Sequence, residues 1–314
     1  MFGKMRRRRR CGLQFLDRQA KLVVAAGPSG SRIVLFRAIP LAEGTIREGK
    51  ILDEERLVRR LAEHVRELSL TGAEVSLTIP TSSVMLRKAT LPRVRDKELR
   101  NLIDVELHSG ETQLPFRNPV FDFVTVRQDA ENQEVIIFAS PMEVVKQYVR
   151  VVTNAGLRPV AVDTSPLALF RLLIRGLRAS GEALPERFLL LDAETERADI
   201  SIFVHGFPVF FRTVQMHYAL LPDEDEDRNA AYARQLSLEL GRILNYYRYS
   251  VASDREAVRQ LILVGDSSLC ETLRQHMEDD FERILQLPMD GALTNFEPSH
   301  QSFAVPIGLA MKGA

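Results

Sequence analysis

Residues 11–27 read CGLQFLDRQAKLVVAAG, and the fold follows from how this stretch pairs with itself. Gly12 to Leu16 alternates, Asp17-Arg18-Gln19 is polar, and Ala20 to Ala25 is apolar again except for Lys21. Two β-prone runs around a short polar turn make a hairpin. Ile33 to Phe36 supplies a third strand, and Gly44 and Gly49 punctuate the connection after it. Asp53 to Leu70 sets Leu57, Leu61, Val65 and Leu68 on one stripe, which predicts a helix capped by Asp53 and ended by Thr71-Gly72. Val75 to Ile79 alternates as a strand and stops at Pro80. Three strands, a helix and a strand describe a mixed sheet with helices packed on it.

The same order starts again past the middle of the chain. Phe188 to Asp192, Ala198 to Val204 and Phe207 to Val214 read as three strands, with Ala193 to Arg197 and His205-Gly206 as their turns. A long helix follows over Ala230 to Val251, then a strand at Leu261 to Gly265 and a helix at Ser268 to Phe281. This is a repeat of architecture more than of sequence. RASGEALPER, residues 178–187, reads as the linker between the halves. Inside the first half, residues 82–157 read as a smaller α+β insertion. It has strands at 84–89, 120–126 and 135–139 and helices at 97–108 and 141–154. Pro115 and Pro119 hold an extended path in its middle. The strand at 159–162 and the apolar helix at 165–178 return to the first domain, and residues 303–314 form a small-residue closing helix. The expected domains are therefore a basic tail over 1–10, a first domain over 11–81 and 158–180 that also carries the closing helix, the insertion, and a second domain over 183–302.

The chain has 314 residues, 45% hydrophobic and 27% charged, enough for more than one core. Its longest apolar runs, such as Phe188 to Leu191, fall far short of the roughly 18 residues of a membrane span. Cys11 and Cys270 are too few for a disulfide framework, and no secretory leader opens the chain. These features fit a cytoplasmic protein. Net charge is zero but uneven: residues 1–100 carry 22 Lys/Arg against 11 Asp/Glu. Arg6 to Arg10 supplies almost half of that excess, either as a solvated tail or as an attraction to an anionic membrane surface. No aromatic-interleaved basic stretch points to nucleic acid. The stretch from Leu221 to Asn229 is an acidic, solvated loop. The six His residues are dispersed without metal-ligand spacing, and no nucleophile or carboxylate-pair motif stands out. Tyr246, Tyr247 and Tyr249 are expected to pack in the core, as are Phe207, Phe210 and Phe211.

Four quoted stretches carry a resemblance. GLQFLDRQAKLVVA (12–25), YVRVVTNAGLRPVAVDTSPLALFRLL (148–173), LELGRILNYYRYS (238–250) and FAVPIGLAMKGA (303–314) resemble, in order and spacing, segments of the type IV pilus assembly PilM family. That family lies in the actin-like ATPase superfamily, with FtsA a more distant relative. Residues 84–126 resemble its inserted 1C-type subdomain, with Leu91-Pro92, Glu98-Leu99, Glu106 and Pro115-Phe116 in matching places. The resemblance implies an α/β, actin-like two-domain fold of duplicated RNase H-like sheets with a small α+β subdomain inserted in the first. It also implies a groove between the first domain and its insertion. That groove would receive the short cytoplasmic N-terminal tail of a PilN-like single-pass membrane protein, holding the chain at the inner face of the membrane beside other pilus platform proteins. Leu99, Ile103, Leu114, Pro115 and Phe116 are its candidate lining; they equally suit the insertion's own core.

The departures from that family pattern cluster where ATP and Mg²⁺ would be held. Gln14 stands for a metal-positioning carboxylate and Leu16 for a glycine, while Lys21 remains and reads equally well as a surface strand lysine. In the second turn Asp192 survives, Glu194 takes a glycine position and Glu196 adds negative charge. The third loop, VGDSSL, keeps Gly265 alone. Losing two or three charged hydrogen bonds, each worth about 1.5–3 kcal/mol, weakens binding by orders of magnitude. The expectation is a non-enzymatic scaffold, a pseudo-ATPase without cofactor, metal or catalytic residue. The alternative is a nucleotide binder with slow hydrolysis that uses Lys21, Asp192 and Gly265. GspL-like and FtsA-like platform roles are further alternatives, disfavoured for want of a membrane helix.

Overall fold

The computed structural model describes residues 9–27, 30–109, 114–216, 228–252 and 254–312. The chain divides into two compact units, residues 82–148 and the remainder. The larger unit opens with β1 (Arg10–Phe15), β2 (Gln19–Ala26) and β3 (Arg32–Pro40). A two-residue ribbon follows, β4 (Ile46–Arg47) with β5 (Lys50–Ile51), then α1 (Glu54–Glu67) and β6 (Glu74–Thr78). Asp53 caps α1 by accepting from the Arg56 N–H at 2.9 Å.

The smaller unit contains β7 (Met85–Pro92), α2 (Asp96–Ser109), β8 (Pro119–Gln128) and β9 (Asn132–Pro141). Its three strands pair in the order β7-β9-β8, all antiparallel. One face is closed by α2, whose Leu99, Ile103 and Leu107 pack with Leu91, Val135 and Ile137. Helix α3 (Met142–Asn154) crosses the division between the units, which falls at 148.

The larger unit resumes with β10 (Arg158–Asp163) and α4 (Ser165–Ser180). Its second sheet follows: β11 (Arg187–Ala193), β12 (Arg197–Val204), β13 (Phe207–Gln215), α5 (Arg228–Tyr246), β14 (Gln260–Gly265), α6 (Ser267–Met277) and β15 (Arg283–Gln286). The closing helix is α7 (Ala304–Ala310). The two sheets run β3-β2-β1-β6-β10 and β13-β12-β11-β14-β15. In both, a three-stranded antiparallel meander continues into two parallel strands. The predicted repeat is therefore a repeat of topology.

Strand β2 is buried along nearly its whole length, and its Val23 and Ala25 share a core with residues of α4 and α7. Between the sheets a core forms from Val23 and Ala25 of β2, Leu169 and Leu173 of α4, and Phe188 and Phe203 of the second sheet. Helix α7 approaches β1 at backbone distance: a Cβ on Gly12 would lie 1.9 Å from the Pro306 carbonyl oxygen. At the turn joining β12 and β13, His205 and Gly206 have φ of 50° and 81°, the tight two-residue turn that hairpins favour.

Two expectations need correction. The helix predicted to continue to Val251 ends as an α-helix at Tyr246 and widens into a π-helical turn over Tyr247–Val251. Of the three tyrosines there, only Tyr247 is buried, its hydroxyl accepting from Arg187 Nη1 at 2.7 Å, whereas Tyr246 and Tyr249 are 57% and 64% exposed. Consecutive helical positions point about 100° apart, so one core face cannot take all three. Phe207, Phe210 and Phe211 are half-buried, because β13 is an edge strand. The tail residues Arg6 to Arg8, His217 and the acidic residues 221–227 lie outside the described residues; Arg9 precedes β1 and Arg10 opens it. Among the described residues, no helix is long and apolar enough to cross a membrane.

Candidate functional site

Pairing of the two sheets brings their first hairpin turns together. The β1–β2 turn closes with the Leu16 N–H donating to the Gln19 carbonyl at 2.8 Å, and the β11–β12 turn with the Glu194 N–H donating to the Arg197 carbonyl at 2.9 Å. Between them Lys21 Nζ sits 2.6 Å from Glu194 Oε1 and donates to the Ser302 carbonyl at 2.8 Å. Lys21 and Glu194 are 5% and 14% exposed at the side chain, so this is a buried ion pair, not a solvated strand lysine. Further out, Arg18 Nε lies 2.7 Å from Glu196 Oε1. The first turn gives cations and the second gives anions.

Most charged groups here are held by the chain itself, but the buried Asp192 has one carboxylate oxygen, Oδ2, without a hydrogen-bond partner among the described residues. Asp17, the one carboxylate of the first turn, accepts from the backbone N–H groups of Glu48 and Gly49. Asp199 accepts from Thr81 Oγ1 at 3.3 Å and from Thr213, with Arg197 Nη2 at 3.4 Å. The Tyr232 hydroxyl donates to the Glu194 carbonyl at 2.9 Å. Burial, together with the carboxylates of Glu194 and Asp199, pushes the Asp192 carboxyl well above the ordinary range, against partial offsets from Arg197 and Lys21. Burial and Asp17 raise Glu196 as well, with Arg18 opposing.

These residues do not fit a magnesium nucleotide. No glycine lies in either hairpin turn to let a phosphate oxygen reach the backbone. At the family's metal-positioning place, Gln14 is buried and neutral, its amide atoms without a hydrogen-bond partner among the described residues. Two of the three donors on Lys21 are committed to Glu194 and Ser302. Gly265 has φ 142°, and a Cβ there would stand 2.5 Å from the Ala193 carbonyl oxygen. That glycine is required by the close approach of β14 to β11, independent of any ligand. Among the described residues no cluster of three or more His, Cys, Asp or Glu could hold a metal ion. Burial raises the thiols of Cys11 and Cys270 to about 11 and about 12, so neither is a nucleophile near neutral pH.

Sequence reading placed Lys21, Asp192 and Gly265 at this site, and the structure brings them to the same cleft. What it missed were Arg197, Asp199 and Tyr232, the partners that fill it. A usable signal was present in QAKLVVAA: a lysine inside a run apolar on both faces needs a buried anion. In the smaller unit, Leu99, Ile103 and Leu114 point into that unit's core, Phe116 is packed against it, and Pro115 is exposed.

A family model described as type IV pilus assembly protein PilM matches residues 17–224. Among solved structures, the chain is similar to one from a PilM-PilN type IV pilus biogenesis complex, at 23% identity and TM-score 0.75, covering 96% of this chain and 98% of that one. It is similar at 12% identity and TM-score 0.52 to the ethanolamine utilization protein EutJ of Carboxydothermus hydrogenoformans, covering 97% of this chain and 90% of that one. It is also similar at 11% identity and TM-score 0.51 to the cytoplasmic domain of EpsL of Vibrio cholerae, covering 98% and 96%. These likenesses establish an actin-like fold. No curated protein sequence matches the chain.

Proposed function

The chain belongs to the type IV pilus assembly protein PilM family, and from that premise we propose that it acts as an actin-like scaffold that holds its closed form without hydrolysing ATP. One observation carries the reading: the buried Lys21–Glu194 pair joins the two hairpin turns where a relative of this fold would clamp phosphate. A phosphate bound between two such turns draws both sheets onto one anion. Here the anion is a side chain of the second sheet, so closure needs no diffusible ligand. The scaffold is cytoplasmic and peripheral to the inner membrane. Its partner is a PilN-like single-pass membrane protein, a reading supported by the PilM-PilN complex of the structural relative, and the scaffold takes up that protein's short N-terminal tail.

Calorimetry on the full chain tests the two halves of this proposal separately. Titration with ATP and Mg²⁺ is expected to give no binding heat at millimolar ligand. A synthetic peptide of the PilN-like tail is expected to bind in the same buffer. Micromolar ATP binding that disappears on Asp192→Ala overturns the reading of closure without a ligand and restores the nucleotide-binding alternative. Failure of the peptide alone overturns the tail partner and leaves the cleft reading standing.

A further inference from the structure

Helix α7 covers only part of the first sheet. It lies on the face that carries Gly12 and ends there: a Cβ on Gly12 would stand 3.0 Å from the nitrogen of Ala310, the last residue of the helix. Side chains on one face of a strand recur at every second position, so Arg10 shares this face with Gly12. Across the parallel ladder Gly12 pairs with Ser76, Ser76 with Ala161, and Glu74 with Arg158. Arg10, Glu74, Ser76 and Ala161 therefore line this face around and beyond the end of α7, where a pocket of about 370 Å³ opens. Ala310 and Lys312 close it from the helix side. Val160, the extra residue of a bulge in β10, is 52% exposed at its rim.

Most charge around this pocket is already met. Glu74, the one carboxylate among its described lining residues, forms an ion pair with Arg158. Lys312 Nζ lies 3.1 Å from Asp163 Oδ2 and donates to the Val162 carbonyl at 3.1 Å. The carbonyls near the end of α7 are satisfied too. Ile307 and Leu309 accept from the N–H groups of Met311 and Lys312, and Gly308 accepts from Arg171. Arg10 is the exception: its Nη1 is buried and has no hydrogen-bond partner among the described residues. A buried guanidinium nitrogen without an acceptor is costly, and native proteins fill such places with water or a bound group.

We propose that this pocket binds a small organic monocarboxylate, its oxygens on Arg10 and its short tail between Val160, Ala161 and Ala310. A guanidinium fork matches a planar carboxylate, and the alanine and valine side chains suit hydrocarbon. A single uncompensated positive charge favours a monoanion, because the second charge of a dianion would face Glu74. The volume lies at the small end of the range for small-molecule sites. None of these residues belongs to the cleft between the hairpins, so the proposal stands apart from the nucleotide and tail readings.

The test titrates the full chain with acetate, butyrate and benzoate, followed by saturation-transfer difference NMR and by thermal melting. At least one of the three acids is expected to bind at millimolar concentration. Butyramide, the neutral isostere of butyrate, is expected not to bind, and succinate to bind more weakly than butyrate. Arg10→Met is expected to weaken binding by about tenfold or more, yet to melt no lower than the parent, since it removes an unmet donor. Ala161→Leu fills the tail chamber and gives the same loss at unchanged charge. Arg9→Met, at an exposed position, leaves binding unchanged and controls for general attraction to the basic start of the chain. Failure of all three acids overturns the proposal. So does tighter binding of succinate, or binding that ignores Arg10→Met or Ala161→Leu. A fall in melting temperature for Arg10→Met overturns it as well, because the guanidinium then already has a partner in the folded chain.

Discussion

The hairpins β1–β2 and β11–β12 occupy equivalent places in two sheets of one topology, and they differ in the sign of the charge they present. The first offers Arg18 and Lys21, the second Glu194 and Glu196. In both sheets a parallel strand lies beside the hairpin, β6 ending at Thr78 and β14 running one residue further, to Gly265. Duplicated backbones need not hold duplicated chemistry. When one turn supplies cations and its counterpart anions, the two satisfy each other, and a shared anionic ligand has no remaining charge to meet. The comparison also shows where the cost falls: Asp192, buried behind the second turn, has no matching acid in the first hairpin, where Gln14 is neutral.

Removing the cation breaks the comparison most severely. Lys21→Met is expected to lower unfolding free energy by about 3–5 kcal/mol, because Glu194 stays buried without its partner. Denaturant unfolding measures this. Adding Glu194→Gln to the same chain is expected to recover most of the loss, since a neutral pair removes the stranded charge. If the double variant is as unstable as the single, the pair is not what joins the turns.

Backbone geometry gives the next effect. Gly265→Ala forces a Cβ against the Ala193 carbonyl at a φ that L residues rarely adopt, at a cost of about 2–3 kcal/mol. At the equivalent level of the first sheet stands Ile79, which carries a side chain, and one residue before it the Thr78 Oγ1 accepts from the Phe15 N–H. Thr78→Ala is thus expected to cost only about 1 kcal/mol, the worth of one hydrogen bond. Similar losses at the two positions contradict the idea that only the second sheet needs a bare backbone there.

Much of this architecture was legible because period-two and three-and-four patterns are strong where burial is one-sided. Leu57, Leu61 and Val65, on the one buried face of α1, are an example. The His205-Gly206 turn was legible for a different reason, since few residue pairs tolerate positive φ twice in succession. The π-helical end of α5 was not, because a helix register slips there without any Pro or Gly to mark it. Nor was the fate of Lys21. A sequence shows that a strand carries a lysine, but its partner, Glu194, is 173 positions away and is set by the packing of two sheets.

Titration sharpens the contrast between the two hairpins. Burial holds the Asp192 proton above the ordinary carboxylate range, so the folded chain binds more protons there than the unfolded one. Stability contributed by this group is full at acid pH and is lost as pH rises from the ordinary range through the raised folded value. Asp192→Asn is expected to match the parent at pH 3 and to exceed it by about 1–2 kcal/mol at pH 7. Gln14→Leu in the first hairpin removes no titrating group, so it is expected to leave the pH profile parallel to the parent's. A profile that steepens in that variant contradicts the assignment of the slope to Asp192.

The smallest effect belongs to the outer pair. Arg18 is 60% exposed at the side chain, and its contact with Glu196 is open to water and salt. Arg18→Ala is expected to cost at most about 1 kcal/mol, and raising ionic strength is expected to erase the difference from the parent. The Lys21 difference should survive the same salt, because solvent does not reach between Lys21 and Glu194. Measuring both variants across one salt series therefore separates a closure built inside the cleft from one that depends on charges at its mouth. Equal salt sensitivity would place the Lys21–Glu194 pair in solvent, and the buried pair would no longer explain how the two turns stay together.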